Sequence, residues 1–570
     1  MSPGLASRLP TFVIALLLLG PIGAGLAGTL LPAAGYFPAL GGNGFSTAPF
    51  QDLLSVPGLE TSLTLSLSTG FISTAVSFAI VLLFTASWAG TPAFERIRRI
   101  LSPLLAVPHA AAALGFAFLI APSGFVLRLV SPWLTGFDRP PDLLIVNDPY
   151  GVSMVLGLVM KEVPFLFLMT LASMPQIRGY ELLRVSCSLG YSRTTAFFKV
   201  VFPLLYSRLQ LPVLAVLAYS TSVVDMAEIL GPTTPAPMAP RVVDWMTDPD
   251  PSIRFRAATG AIAQLLLTAL AITIWLFAAK GLLLLARRAA ASGWRGRDDR
   301  IPQSLGLIGM TLPISTLVLS LCLLPLWSVT KSWWYPQTIP RTLDFGLWLD
   351  IGEHAGNHLL VSFIVGGVTT LVSAVLVVWY LEMSVGPADG ASSAPKKTLQ
   401  FEFLLFLPLT IPQISFLFGV QVLFTKIHLD QSVVAVCFAH LMFVLPYVYL
   451  SLKDPWRRLD ARYIRLAACL GCSKIGTLWK VKLPMLLRPL IVALAIGFAV
   501  SIGQYLPTLI VGGGRVATLT TESVALASGG NRQLIGLYAS LQLLLPFVAF
   551  TFADLVPSLA HRNRSYFKAN

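Results

Sequence analysis

Charge is what this sequence most lacks. Asp, Glu, Lys and Arg make up 12% of 570 residues, while 55% are hydrophobic and the mean hydropathy is +0.76. A soluble chain of this size could not keep so much apolar surface out of water. A bilayer accepts it directly, at about 20 apolar residues per helical crossing. No GxxxxGK[ST] occurs, so the chain carries no loop of the kind that cradles nucleotide phosphates. No long polar stretch is left over to build a soluble domain. The five cysteines, Cys187, Cys322, Cys437, Cys469 and Cys472, are odd in number and fall mostly in apolar segments, which excludes a disulfide framework. Cys469 and Cys472 form a CxxC without further ligands nearby, and chance spacing explains it. The six histidines, His354 and His358 among them, show no metal-ligand pattern. No nucleophile arrangement is present either, so neither a catalytic centre nor a metal site is expected.

What is present is a long series of apolar runs and an excess of positive charge, +14 net with a pI near 9.7. No basic face of a soluble module exists to bind nucleic acid, and the excess reads as orientation charge in loops. Apolar windows predict twelve spans. Six lie near Thr11–Leu31, Thr61–Trp88, Leu101–Ala121, Gly151–Met174, Leu209–Leu230 and Ala257–Leu285. Six more lie near Leu305–Val329, Leu359–Leu381, Phe401–Phe424, Gln431–Leu452, Pro489–Val511 and Leu534–Val556. Arg8 and the run from Thr11 to Leu19, with small residues at 24–28, have the outline of a signal peptide. The apolar stretch continues to Leu31, so a retained first helix is expected. With the amino terminus placed in the cytoplasm, the inner segments hold 28 Lys and Arg and the outer segments 10. That asymmetry fits the positive-inside rule and puts both termini in the cytoplasm.

The chain repeats itself. Residues 184–205 read RVSCSLGYSRTTAFFKVVFPLL, and residues 465–486 read RLAACLGCSKIGTLWKVKLPML, at a constant offset of 281. Arg184 aligns with Arg465, Leu189-Gly190 with Leu470-Gly471, Lys199 with Lys480 and Pro203 with Pro484. Pro108 and Gly115 find a second echo in Pro412 and Gly419. Repeats on this scale mean two similar halves, and their like orientation makes them parallel. The expected fold is an all-α polytopic membrane protein of about twelve transmembrane helices in two parallel pseudo-repeated halves. Its divisions are a first helix and outer loop (1–60), a first domain (61–285), a connection with the seventh span (286–355), a second domain (356–560) and a cytoplasmic tail (561–570). In each repeated loop a short helix is expected to stop at the glycine. A second starts at Ser192 or its counterpart, a fair N-cap, and the proline marks where the next span begins. The result is one compact knob per half.

This pattern of short helix, Leu-Gly, thirteen residues and proline resembles the EAA loop of ABC importer permeases. The resemblance covers roughly 60–285 and 355–560. It implies a fused permease with two domains on one chain, most similar to the group that includes thiamine and ferric-iron importers. In that family the loop couples to a separate ATPase. The resemblance therefore implies an ABC ATPase partner in two copies, binding ATP and magnesium, and a periplasmic or extracellular solute-binding protein. It implies an inner-membrane location and a small-molecule substrate such as thiamine, ferric iron or an oxyanion. The coupling residues are then Arg184, Leu189, Gly190, Lys199, Pro203, Arg465, Leu470, Gly471, Lys480 and Pro484. The family's acidic residue six before the glycine is absent, since Arg184 and Arg465 stand there.

Intramembrane polar residues supply the path candidates, because burying charge in hydrocarbon is costly. Lys161 and Glu162 sit inside the fourth span before Pro164. Asp225 and Glu228 lie in the fifth, and Gln504 and Tyr505 in the equivalent region of the eleventh. In the family the fifth span of each domain lines the path. Acidic residues suit a cationic substrate, while outer Arg241, Arg254 and Arg256 suit an anion. The segment from Val511 to Glu522 reads as an outer elbow or re-entrant turn, with Gly231 matching Gly512. The rival class is an ion-gradient-driven secondary transporter, working through Lys161, Glu162 or Asp225 without an ATPase.

Overall fold

The computed structural model describes residues 9–296, 298–384 and 404–560. The expected tail at 561–570, Arg8 and loop lysines 396–397 lie outside them. Among the described residues the only sheet is a two-stranded ribbon, Thr330–Ser332 against Thr342–Leu343. The remainder is helix and connecting loop, as a chain that must satisfy its backbone inside hydrocarbon requires.

The first half contains α1 (Leu9–Ala33), α2 (Ala48–Leu54), α3 (Leu59–Trp88), α4 (Pro92–Leu104), α5 (His109–Ile120), α6 (Val152–Ser173), α7 (Gly179–Ser188), α8 (Arg193–Thr221), α9 (Asp225–Leu230), α10 (Met238–Thr247) and α11 (Ile253–Ala291). The second half contains α12 (Arg300–Ser328), α13 (Gly356–Ser384), α14 (Gln413–Lys426), α15 (Val433–Arg457), α16 (Ala461–Cys469), α17 (Lys474–Met485), α18 (Leu487–Ile502), α19 (Leu506–Gly512), α20 (Leu519–Ala525) and α21 (Arg532–Ala560). Ten helices among the described residues are long and apolar enough to cross a membrane. Two bent pairs, Leu404–Thr410 with α14 and α17 with α18, raise the number to twelve.

Several boundaries differ from expectation. The eleventh span ends at Ile502 rather than Val511, with Leu506–Gly512 a separate helix, and the ninth is bent by 103° before Gln413. The third span begins at His109 rather than Leu101, because Leu101–Leu104 belongs to α4, whose Thr91 cap accepts from the Phe94 N–H. The chain breaks before Pro108, which lacks the donor a continuous helix needs. The fifth span ends at Thr221, and Asp225 and Glu228 lie on the separate helix α9. Pro203 does not mark a helix start. Helix α8 runs through it after a five-residue π turn, Phe197–Val201, which loosens the ladder where the proline donor is missing.

The repeat is structural as well as sequential. Helices α6 and α15 start 281 residues apart, as do α9 and α19, and α10 and α20. The π turn at Phe197–Val201 recurs at Leu478–Lys482, 281 residues on at both ends. Upstream the offset becomes 304, from Gly115 to Gly419, because the first half carries the longer loop between its third and fourth spans. That loop buries Arg128, whose guanidinium donates to the carbonyls of Ser123 (2.9 Å), Trp333 (2.9 Å), Trp334 and Gln337 (both 3.0 Å). Backbone oxygens disperse its charge, and the clasp pins the loop that follows α12.

The leading helix of each half packs on the opposite half. Helix α1 lies along α14, and α12 lies against α3, α5 and α6. Small residues permit this approach, as they do wherever membrane helices associate through close van der Waals contact. A Cβ on Gly28 would stand 2.9 Å from the Gly419 Cα, and one on Gly419 would strike the Gly25 carbonyl. At the equivalent crossing a Cβ on Gly115 would stand 2.5 Å from the Ser320 carbonyl. Many hydroxyls within the spans bond back to their own helix, such as Thr69 to the Leu65 carbonyl (2.6 Å) and Thr74 to that of Gly70 (2.8 Å), whereas buried Ser77, Thr85 and Ser320 have no such partner among the described residues.

Candidate coupling surfaces and translocation path

Each knob is built by the same local rules. In the first half, α7 ends at Ser188. Gly190 then takes φ +85°, a left-handed conformation that costs glycine little, and its N–H bonds the Cys187 carbonyl (3.0 Å). Ser192 caps the next helix by accepting from the Thr195 N–H. In the second half, α16 ends at Cys469, Gly471 takes φ +77°, and its N–H bonds Ala468 (3.0 Å). Ser473 accepts from the Gly476 N–H (3.1 Å). Both knobs expose an aliphatic pair at matching positions, Val185 with Leu189 and Leu466 with Leu470. Arg184 and Arg465 are exposed beside them, as is Pro484, while Pro203 is half-buried.

The knobs differ in what lies over them. The linker after α11 crosses the first. The Asp299 carboxylate accepts from the Arg193 N–H (2.7 Å) and from the Thr194 hydroxyl, and the Lys199 ammonium donates to the Trp294 carbonyl. Lys480, the counterpart of Lys199, is exposed.

The path candidates form two groups, which Lys161 and Asp225 link as electrostatic neighbours. Lys161 and Glu162 are neighbours on α6, both buried, and do not pair with one another. Lys161 donates to the Val107 carbonyl (2.6 Å), beside the break that Pro108 makes. The Glu162 carboxylate accepts from Ser73 of α3 (3.2 Å) and from Ser220 of α8. They tie the first half together. Asp225, Glu228 and Tyr505 form the second group, where the halves meet. Asp225 is buried and accepts from the Tyr219 hydroxyl (3.2 Å), while Glu228, one turn further, is open to solvent. Tyr505 packs against the cores of both halves, and Glu228, Asp225 and Asp244 are its electrostatic neighbours. Gln504 precedes it at the end of α18 and is half-buried.

Charge is confined to one side. The positions 281 residues beyond Lys161, Glu162, Asp225 and Glu228 hold Met442, Phe443, Leu506 and Leu509. Conversely, Gln504 and Tyr505 stand where the first half has Val223 and Val224. Two of the arginines expected on the outer side are engaged. Arg241 bonds Ser62 (2.8 Å) and the Pro57 carbonyl (3.0 Å), and Arg256 grips Asp52 through two 2.7 Å bonds. Arg254 retains a buried Nε without a partner. Crowding by protein raises the Asp244 carboxyl above its ordinary range, against the pull of Arg241.

Sequence reasoning passed over two groups. His440 is buried within α15, with Nδ1 2.8 Å from the Ser501 hydroxyl and Nε2 2.8 Å from that of Thr508. A lone histidine inside an apolar run was the available signal. Asp244 gave none, because its position between two spans resembles that of any solvated acid. Among the described residues no three His, Cys, Asp or Glu side chains gather as metal ligands would, and Cys469 and Cys472 are free thiols.

Comparison with known proteins adds a second line of evidence. Residues 390–558 match the family described as the binding-protein-dependent transport system inner membrane component. The chain is 32% identical over 515 residues to the inner membrane ABC transporter permease protein YnjC of Escherichia coli, covering 90% of this chain and 91% of that one. It is 26% identical over 445 residues to the thiamine transport system permease protein ThiP of the same organism, covering 75% and 76%. Over 130 residues it is 31% identical to the molybdenum transport system permease protein ModB of Mycobacterium tuberculosis, which is 21% of this chain and 49% of that one.

Proposed function

The chain belongs to the family of inner-membrane permeases of ABC transport systems, and from that premise we propose that it is the membrane-spanning subunit of an ATP-driven, binding-protein-dependent importer of a small cationic solute. The paired knobs carry this reading. Two surfaces of the same construction, one in each pseudo-repeated half, suit a partner that presents two equivalent grooves. Two copies of an ABC ATPase, holding ATP and magnesium, are that partner, and Arg184, Leu189, Gly190 and Pro203 with their counterparts form or support the docking surfaces, while Lys199 and Lys480 lie on a separate face. The knob face is then cytoplasmic together with both termini, in keeping with the excess of Lys and Arg on that side. A solute-binding protein delivers its cargo at the opposite face.

The acidic lining of the candidate path supports a cationic substrate. Asp225, Glu228 and Asp244 gather beside Tyr505, while Arg241 and Arg256 are bound to protein groups. A path with that lining favours positive charge, and the aromatic ring of Tyr505 adds a surface on which an organic cation can rest. Relatives carry names that include thiamine, spermidine/putrescine and molybdenum, and of these the first two kinds of solute are cations.

Affinity purification of the full chain from gently solubilised membranes tests the class. Recovery of a P-loop ATPase near two copies per permease is expected. A permease that comes down alone in several mild detergents, yet supports uptake sensitive to ionophores, would instead establish a gradient-driven carrier.

A further inference from the structure

The two knobs are alike in backbone but not in cover, and the difference falls on one helix face. At the 281-residue spacing, Arg193 corresponds to Lys474, Thr194 to Ile475, Phe198 to Trp479 and Lys199 to Lys480. In the first half this face is closed by the linker. Thr194 is 8% exposed and bonded to Asp299, and Lys199 is bonded to the Trp294 carbonyl. In the second half Ile475 is 71% and Trp479 67% exposed. Lys474 and Lys480 are exposed, and neither has a hydrogen-bond or ion-pair partner among the described residues. Lys482 is different. It is buried and held by the Glu382 carboxylate at 2.6 Å, which anchors the underside of the helix.

Direction separates the halves too. Helix α8 runs from Arg193 to Thr221 as one span, whereas α17 meets the spanning helix α18 at 78°. Spans tilt on average by about 20° from the bilayer normal, so a helix turned through that angle lies along the membrane surface. Ile475 and Trp479, four residues apart, share a face, and Lys474 and Lys480 flank it. Arg488, just past the bend, is also exposed. An in-plane helix with a tryptophan and an aliphatic side chain between cations is suited to the boundary between headgroups and acyl chains.

We propose that α17 is a seat for anionic phospholipid, with Ile475 and Trp479 entering the acyl boundary and Lys474 and Lys480 holding the phosphate headgroup. The basic face and the in-plane direction select lipid as the occupant. An ATPase that engages both knobs alike has the aliphatic pairs Val185/Leu189 and Leu466/Leu470 available in both halves. It cannot depend on a face that the linker closes in one of them. The membrane thus supplies for the second knob the cover that Trp294 and Asp299 supply for the first.

The test uses the full-length chain with dioleoyl phosphatidylglycerol as the probe and dioleoyl phosphatidylcholine as the control. Binding is read by native mass spectrometry, and contact by quenching of tryptophan emission with brominated phosphatidylglycerol. Two lysines near an anionic surface account for roughly a thirtyfold change in affinity, so Lys474→Gln/Lys480→Gln is expected to weaken phosphatidylglycerol binding by about that factor, with phosphatidylcholine unaffected. Quenching in the wild type minus that in Trp479→Phe isolates the one indole, and that difference is expected to be positive. Unchanged phosphatidylglycerol affinity in the double variant, or no quenching assignable to Trp479, overturns the proposal. So does a double variant that keeps its lipid but no longer retains the ATPase, which would give this face to the protein partner.

Discussion

Ser220 and Ser501 stand 281 residues apart at the same position in the two halves, and each bonds a titratable side chain from the preceding span. Ser220 donates to Glu162, and Ser501 lies 2.8 Å from the Nδ1 of His440. The serine repeats while its partner changes in identity and shifts along the helix. Each half therefore locks its fourth span to its fifth through one buried polar contact. Couplings of this kind between membrane helices average about 0.6 kcal/mol and reach about 1.7. A double-mutant cycle with His440→Phe and Ser501→Ala, followed by unfolding in mixed micelles, is expected to give a coupling in that range. A value indistinguishable from zero would mean that packing alone joins α15 to α18.

The crossing of α1 over α14 makes a sharper prediction. Gly23 and Gly25 lie on the same helix, but a Cβ on Gly23 meets nothing within 4 Å, while one on Gly25 runs into Phe416. Replacing glycine by alanine in an open helical position gains about 0.5–1 kcal/mol, and overpacking a close contact costs about 1–3 kcal/mol. Gly23→Ala should therefore raise the thermal midpoint, and Gly419→Ala should lower it. Midpoints that move together would show that α1 does not rest on α14 as described.

The proposed docking at the knobs depends on glycine conformation. Gly190 and Gly471 have positive φ, and Gly471 has open space around it. An aspartate at Gly471 is strained by its backbone alone, while at Gly190 its Cβ would also stand 3.3 Å from the Arg295 guanidinium. Gly190→Asp and Gly471→Asp are expected to insert and fold but to lower substrate-stimulated ATP hydrolysis at least tenfold in a reconstituted complex. Full stimulation in both variants would remove the knobs from the coupling route.

The Asp52–Arg256 pair carries a pH dependence whose sign is fixed. Its hydrogen bond to Arg256 holds the Asp52 carboxyl below its ordinary value of 3.8. The pair's stabilisation is thus fully present above that value and is lost as pH falls through the lowered one. Both side chains are partly exposed, so the contribution is about 1 kcal/mol or less. Asp52→Asn should cost a small amount of stability at pH 7 and progressively less below pH 3.8, as measured by thermal denaturation across that range.

The halves were legible in the sequence because a repeat at constant offset needs no structure to be seen. Gly190, Gly471, Ser192 and Ser473 reveal their turns through local chemistry alone. Partnership between distant helices was not legible. An apolar helix such as α1 carries no mark that directs it to α14 rather than α5, and only the facing Gly25, Gly28 and Gly419 select the crossing. His440 was visible as an oddity in an apolar run, but Ser501 and Thr508 lie 61 and 68 residues away. The break after Thr221 was missed because Val223, Val224 and Met226 continue the apolar count across it.

Asp244 joins stability to function with opposite signs. Crowding raises its carboxyl above 3.8, so the folded protein holds that proton more tightly than the unfolded chain does. Stability therefore falls as pH rises through the window above 3.8, and at neutral pH the ionised carboxylate is an expense to the fold. Replacing it with a neutral isostere removes that cost, so Asp244→Asn should leave the thermal midpoint at pH 7 unchanged or higher. The same change removes a negative charge beside Glu228 and Tyr505, where a cationic solute would pass. Uptake of a cationic substrate by the reconstituted complex should fall several-fold, with basal ATP hydrolysis preserved. In wild type, acidification that neutralises Asp244 should reduce uptake in the same direction. If Asp244→Asn gains stability and transports as before, the acidic lining belongs to the architecture of the outer face, and the cation assignment loses its support.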